Sequence, residues 1–319
     1  MTAIDWNKKE APRKAFGEAL AALGEAYPRL LVLDADVGTS TMSSIFQKKY
    51  PDRFLQMGIA EANMLGVAAG LAAVGFTPFV STFAAFMSRR ALDQIAISVA
   101  YPRLNVKING SYGGIPTGRA GATHQALEDI AIMRAIPSMK ILAPADGAET
   151  RLAVKLALDT EGPVYLSTVR CDVPALFGDS HKLEWGKAVK VAEGGDLTII
   201  SCGMMTYKAL AAAEILRKDG VSAAVIHMPS VKPIDEEAVV AASRQTGLIL
   251  TLENHNIVGG LGGAVAEITA QLAPCKVARL GIPDCFGESG DDEEIFRKHG
   301  CDENSAAKRA KEELKKKRG

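Results

Sequence analysis

Short apolar runs alternate with longer amphipathic segments along almost the whole chain, and that rhythm predicts the elements. Residues 11–27 read as a helix, followed by a strand at 30–33 (LLVL) that runs into Asp34-Ala35-Asp36. A polar loop with Ser40 and Thr41 opens a second helix, hydroxyl side chains being suitable caps. The pattern then predicts a short strand at 54–57, a small-residue helix at 60–74, a strand at 76–81, a helix at 83–100 and a strand at 104–108. The stretch 109–122 (NGSYGGIPTGRAGA) carries five glycines and a proline and is predicted to be irregular. A loop of this kind, after the carboxyl end of a strand, is where open α/β sheets hold ligands. A helix at 125–135, a strand at 139–142, a helix ending near Asp159 and a strand at 164–167 complete a first unit over 1–170. Residues 171–194, with Pro174, Gly178 and Gly186, lack clear periodicity and read as a connection. A second unit, 195–319, repeats the rhythm with strands near 197–201, 223–227, 248–252 and 277–280. The expected class is α/β, with two consecutive open, mostly parallel-sheet domains.

Composition narrows the function. A length of 319 residues suits two domains on a prior of about 150 residues each. Lysine plus arginine equals aspartate plus glutamate, 37 each, so no general attraction to nucleic acid or to an anionic membrane is expected. The basic run at 308–318 (KRAKEELKKKR) reads as a solvated helix or a frayed tail. The first residues hold no apolar core of signal-peptide length, and no stretch of about 18 apolar residues predicts a membrane span. Cys171, Cys202, Cys275, Cys285 and Cys301 are scattered and lack a C-x-x-C pair, which points away from disulfides and zinc and toward a cytoplasmic protein. His181, His227, His255 and His299 show no metal-ligand spacing.

One segment stands out for its chemistry. In MGIAEANMLGVAAGLAAVGF (57–76), Glu61 is the single charged residue. Desolvation penalises a buried carboxylate that has no cationic partner, whereas a helix N-terminus favours one. Taken singly, Glu61 is a first-turn helix glutamate, Phe83 and Phe86 are core residues, His124 is a cap, and Arg13, Ser40 and Arg170 are surface groups.

Taken in order, the segments say more. GIAEANMLGVAAGLA (58–72), STFAAF (81–86), GATHQ (121–125), VYLSTVR (164–170), KPID (232–235) and ENHNIVGGLGGAVAE (253–267) span nearly the whole chain. The set resembles the transketolase family: a thiamine-diphosphate pyrimidine-binding domain followed by the transketolase C-terminal domain. The resemblance implies a cofactor whose pyrimidine ring is activated by Glu61, stacked by Phe86 with Phe83 close by, and flanked by Asp36 near the thiazolium. It implies that His124 hydrogen-bonds a substrate oxygen near the reacting carbon, and that Arg13, Ser40 and Arg170 grip a sugar's terminal phosphate. The implied activity is transfer of a two-carbon ketol unit between sugar phosphates.

Two departures qualify the substrate. Where the family commonly reads G-E-D-G, this chain has Gly118-Arg119-Ala120-Gly121, and Tyr112 stands where a histidine is common. Loss of an acidic contact to sugar hydroxyls alters discrimination, which leaves two substrates open beside each other: the ordinary pentose phosphates and an altered ketose, branched or carrying another anion. The chain also lacks the GDG segment that holds Mg2+ and, through it, the diphosphate, and it starts at the helix opening the pyrimidine domain. A separate N-terminal transketolase subunit is therefore expected to supply that site, in an α2β2 assembly. The rival readings are a 2-oxo acid decarboxylase beta subunit, a fragment of 1-deoxyxylulose-phosphate synthase and a non-catalytic scaffold subunit. Thr123-His124-Gln125 and the phosphate-grip residues favour transketolase over the decarboxylase.

Overall fold

The computed structural model describes residues 4–178 and 180–318. Among them, the first half of the chain supplies β1 (Asp5–Glu10), β2 (Leu30–Asp34), β3 (Phe54–Gln56), β4 (Thr77–Phe83), β5 (Lys107–Ser111), β6 (Lys140–Leu142) and β7 (Val164–Thr168). The second half supplies β8 (Val173–Ala175), β9 (Val189–Ala192), β10 (Leu197–Ser201), β11 (Ala223–His227), β12 (Ser230–Lys232), β13 (Leu248–Asn256) and β14 (Lys276–Ile282). One sheet has the order β12-β6-β7-β5-β4-β2-β3 and a second the order β14-β13-β10-β11-β9, while β1 and β8 form a pair of their own. Apart from β12 on β6 and β9 on β11, every pairing in the two larger sheets is parallel. Strands such as LTIIS and AAVIH are buried on both faces, as parallel strands covered by helices must be.

Register builds the site. Asp34 sits opposite Ser81, Phe83 opposite Ser111, and Ser111 opposite Thr168. The carboxyl ends of β2, β4, β5 and β7 therefore share one rim, and the segments holding Asp36, Phe86, Tyr112 and Arg170 all leave from it.

The strand β5 lies further along the chain than the apolar pattern predicted. Its last residues, Asn109, Gly110 and Ser111, are polar or small yet buried. Asn109 explains how: its Nδ2 donates to Ser81 Oγ at 2.9 Å, and its Oδ1 accepts from Thr168 Oγ1 at 3.0 Å. The buried amide is satisfied by both neighbouring strands. The helix predicted at 83–100 is broken: an α-helix at Ala84–Arg90 is followed by a wider π-type helix at Gln94–Ala100. The helix predicted from 125 begins at Asp129, because Ala126 instead bridges to Gly113 and Gly114.

The two units are sewn together. The stretch read as a connection contains β8 and β9, and β8 pairs with β1, a strand whose polar sequence DWNKKE gave no signal. β12, in the KPID region, leaves the second unit and finishes the edge of the first sheet against β6. One hydrophobic cluster joins Leu33, Val80 and Ile108 to Ile200, Ile226 and Val231. At the same seam the Glu149 carboxylate, on the helix Gly147–Leu158, meets His181 Nε2 at 2.9 Å and His227 Nε2 at 2.7 Å. It also accepts the Ala145 amide at 2.7 Å. Burial alone would raise this carboxyl; the His227 charge, the two imidazole hydrogen bonds and the amide outweigh it and hold the group down at about 2.

The basic carboxyl-terminal run is not a frayed tail. It belongs to a helix, Glu303–Arg318, that buries Ala306, Ala307, Ala310 and Leu314 and packs on the helix Met205–Lys218. Among the described residues no helix is long and apolar enough to cross a membrane.

Candidate active site

The rim presents its residues in sequence from a cationic end to a carboxylate end. At the first end, Asp34 is fully buried and accepts from the Val37 amide at 2.7 Å, Thr41 Oγ1 at 2.9 Å and Ser43 Oγ at 2.8 Å. Burial pushes its carboxyl up while these hydrogen bonds oppose the rise. The turn after β2 is thereby pinned, and the Ser40 carbonyl accepts Arg13 Nη1 at 2.8 Å. The same nitrogen donates to Tyr112 Oη at 3.1 Å, and Arg13 Nε donates to the Arg170 carbonyl at 3.2 Å. Arg13, Ser40, Tyr112 and Arg170 are thus brought together from four elements. The Arg170 guanidinium lies against Gly118, where φ is +64° and an added Cβ would fall 2.9 Å from Arg170 Nη1. The Gly118 amide donates to Asp292 Oδ1 at 2.9 Å.

Aromatic rings carry the chain of contacts onward. Tyr112 is buried, with a left-handed φ of +63°, a conformation that costs a tyrosine roughly 1–2 kcal/mol. Its ring centroid lies 4.3 Å from that of Phe83. Phe83 is 5.6 Å from both Phe86 and His124, and Phe86 is 5.1 Å from His124, edge to face. Edge-on and tilted contacts at these spacings are the favourable ones for aromatic pairs.

At the other end the lone-carboxylate expectation fails. Glu61 opens the helix Glu61–Ala73 and is only 4% exposed, but Arg90 Nη1 reaches its Oε1 at 2.9 Å. The Arg90 guanidinium also lies over the Phe86 ring, 3.8 Å from its centroid. Sequence spacing points only to the contact with Phe86, which Arg90 follows by four residues on one helix, and not to the pairing with Glu61. Glu61 is therefore buried and paired, with a partner from outside its own uncharged segment.

Other predicted residues stand differently. His124 has its Nδ1 2.9 Å from Thr123 Oγ1 and keeps its ring among the phenylalanines. Asp36 is exposed, with φ +62°, and its amide donates to Gln56 Oε1 at 2.8 Å; it does not join the ring chain. Arg119 and Ala120 are exposed at the mouth of the loop. Sequence reasoning missed the contribution of the second unit. Gln125 Nε2 donates to the Glu288 carbonyl at 3.0 Å, Asp292 meets Gly118, and Asn254 touches the loop at two points. Among the described residues no group of three or more His, Cys, Asp or Glu side chains is placed to hold a metal ion.

The arrangement pairs a guanidinium-rich end, suited to an anion, with an aromatic-lined carboxylate, suited to a planar nitrogen heterocycle. A family model for the transketolase pyrimidine-binding domain matches residues 8–174, and one for the transketolase C-terminal domain matches 186–305. The chain is 45% identical over 307 residues to an inferred transketolase C-terminal section of Methanocaldococcus jannaschii, covering 95% of this chain and 96% of that one. It is 42% identical over 288 residues to the 6-deoxy-6-sulfo-D-fructose transketolase subunit of a Clostridium species, covering 90% and 89%. A solved structure described as a split-gene transketolase, inactive beta4 tetramer, matches with a TM-score of 0.88 at 43% identity, covering 97% and 99%.

Proposed function

The chain belongs to the transketolase family, and from that premise we propose that it works with a second, N-terminal transketolase subunit to move a two-carbon ketol unit between anionic sugars. The observation that carries the reading is the unbroken run of contacts from Arg13 through Tyr112, Phe83, His124, Phe86 and Arg90 to Glu61. Its polarity, cationic at one end and aromatic with a carboxylate at the other, suits a sugar with a terminal anion lying beside an aminopyrimidine.

Thiamine diphosphate, when bound, would supply the electron sink that carbon–carbon bond exchange in ketol transfer requires. This chain's own groups have separate tasks. Glu61 would hold a hydrogen bond to the pyrimidine nitrogen from its buried position beside Arg90. Phe86 stacks and orients the ring, with Phe83 behind it. His124 holds or moves a proton at the substrate oxygen next to the reacting carbon. Arg13 and Arg170 grip the terminal anion, helped by Ser40 and Tyr112. Asp36, which stands outside the ring chain, is the peripheral member of the set. Among the described residues no donor cluster is placed to hold a metal ion, and we assign Mg2+ and the diphosphate to the partner.

Partner dependence draws support from the split-gene relative, which is titled inactive as a beta4 assembly. Exposed Ile59, Val74, Ile97 and Tyr101, beside the helix that Glu61 opens, add an apolar surface suited to subunit contact. We assign an α2β2 assembly in the cytoplasm, in keeping with free cysteines. The ketose we favour is a modified one. Arg119 and Ala120 replace the acidic pair at the sugar's hydroxyls, and a relative is named for a sulfonated fructose.

The test is reconstitution with the N-terminal subunit and a coupled assay over a panel of ketose phosphates, a branched ketose phosphate and 6-deoxy-6-sulfo-D-fructose. Ketol transfer that vanishes in Glu61→Ala is the expected result. Decarboxylation of 2-oxo acids without ketol transfer would replace this reading, and full activity in Glu61→Ala would point to a scaffold role.

A further inference from the structure

The second unit contributes nothing to the run of contacts between Arg13 and Glu61, yet it grips the glycine-rich loop on which that run depends. We propose that Asn254, near the end of β13, is a positioning residue that fixes the first turn of this loop and thereby holds Tyr112 against Arg13 and Phe83. The inference rests on the reading of Tyr112 and His124 as substrate-facing groups.

Asn254 Oδ1 accepts the Ile115 amide at 2.9 Å, and Asn254 Nδ2 donates to the Gly113 carbonyl at 3.1 Å. One carboxamide, using both its acceptor and its donor, thus spans Gly114. That glycine has φ +75°, and an added Cβ would fall 2.0 Å from Asn254 Nδ2. From the other side, the Gly113 amide donates to the Thr168 carbonyl at 3.0 Å and the Gly114 amide to the Ala126 carbonyl at 2.8 Å. The backbone just after Tyr112 is therefore held from two directions.

Tyr112 needs such a hold. A tyrosine at φ +63° returns to the extended region unless its surroundings over-determine it. Such a return would carry the Tyr112 hydroxyl away from Arg13 Nη1, now at 3.1 Å, and the ring away from Phe83. The rest of the motif holds the segment beyond the loop, where the chain enters the helix Asp129–Ala135. His255 Nε2 accepts the Ala131 amide at 3.2 Å, and the Asn256 amide donates to the Leu127 carbonyl at 2.7 Å. His124 lies between the two grips. The ENHN segment, singled out by sequence and given no chemical task, becomes the strap that sets the loop's shape.

Asn254→Ala removes both bonds. Asn254→Asp keeps an acceptor for the Ile115 amide but sets a carboxylate against the Gly113 carbonyl, so it separates the donor's part from the acceptor's. Hydrogen–deuterium exchange on the full chain should show residues 112–118 exchanging about tenfold faster in both variants. In the reconstituted two-chain enzyme the KM for the anionic ketose should rise about tenfold, while thiamine-diphosphate affinity and melting temperature hold near their wild-type values. Unchanged exchange in both variants overturns the clamp, whatever the enzyme's activity proves to be. Faster exchange with unchanged KM and kcat overturns the positioning role. A parallel fall in cofactor affinity and melting temperature makes Asn254 a structural residue and also overturns it. If the wild-type complex transfers no ketol unit at all, the functional reading fails and the exchange measurement alone decides the clamp.

Discussion

At the scale of single residues, Glu61 and Arg13 mark the two ends of the site and fail differently when removed. Glu61→Ala should lower kcat about 10²–10⁴-fold, the usual contribution of a positioned acid–base group, with the fold kept as judged by circular dichroism. Arg13→Ala should leave kcat less affected and raise KM about 10–100-fold for an anionic ketose, since a hydrogen bond to a charged group is worth about 1.5–3 kcal/mol. The same substitution should change little for an uncharged ketose analogue, and a panel of the two substrates checks this. Glu61 was legible because it is the only charge in a long uncharged segment. Arg90 was not. Its partner lies 29 positions earlier, and the direction of a long side chain depends on how the helix Ala84–Arg90 leaves its strand. Tyr112 was recognisable as unusual for the family, but nothing in a sequence announces a left-handed tyrosine.

At the scale of elements, the Glu149 cluster ties a helix of the first unit to the connection and to β11. Its folded carboxyl is held down at about 2 against an ordinary 4.5, so the stability it provides is complete above about 4.5. That stability is lost as pH falls from there toward 2. Glu149→Gln should therefore be less stable than the wild type at pH 7, and the gap should close as the medium is acidified. Melting curves from pH 7 down to pH 3 check the sign. In the carboxyl-terminal helix, Leu314→Ala should cost about 2–3 kcal/mol through the cavity it leaves in the core of the second unit, readable by urea titration. A view of 308–318 as a frayed tail predicts no change. Strand positions were legible where apolar residues carried them, as at 30–33, and misplaced at β5, where the buried Asn109 amide is satisfied by neighbours the sequence does not reveal.

At the scale of the whole molecule, the alternating rhythm was enough to give the α/β class and the parallel sheets. The mixing of the two halves was not legible. β12 is three residues long, and its place depends on an approach between segments more than 80 positions apart. Neither the pairing of β1 with β8 nor the Asn254 grip can be read from local pattern. The molecule should bind thiamine diphosphate and Mg2+ weakly by itself and tightly once its partner is added. Calorimetric titration checks this, and tight binding by the isolated chain would count against the two-subunit arrangement.

The strand that the second half lends to the first has a consequence for anyone who cuts the gene. A fragment ending inside 176–188 would keep the rim that carries Phe83, Phe86 and Tyr112 but lose β12, leaving β6 with bare amides and carbonyls along its margin. Such a margin recruits strands from other molecules. The severed half should therefore precipitate or form filaments, and adding the missing half in trans should rescue its solubility only in so far as Ser230–Lys232 can dock again.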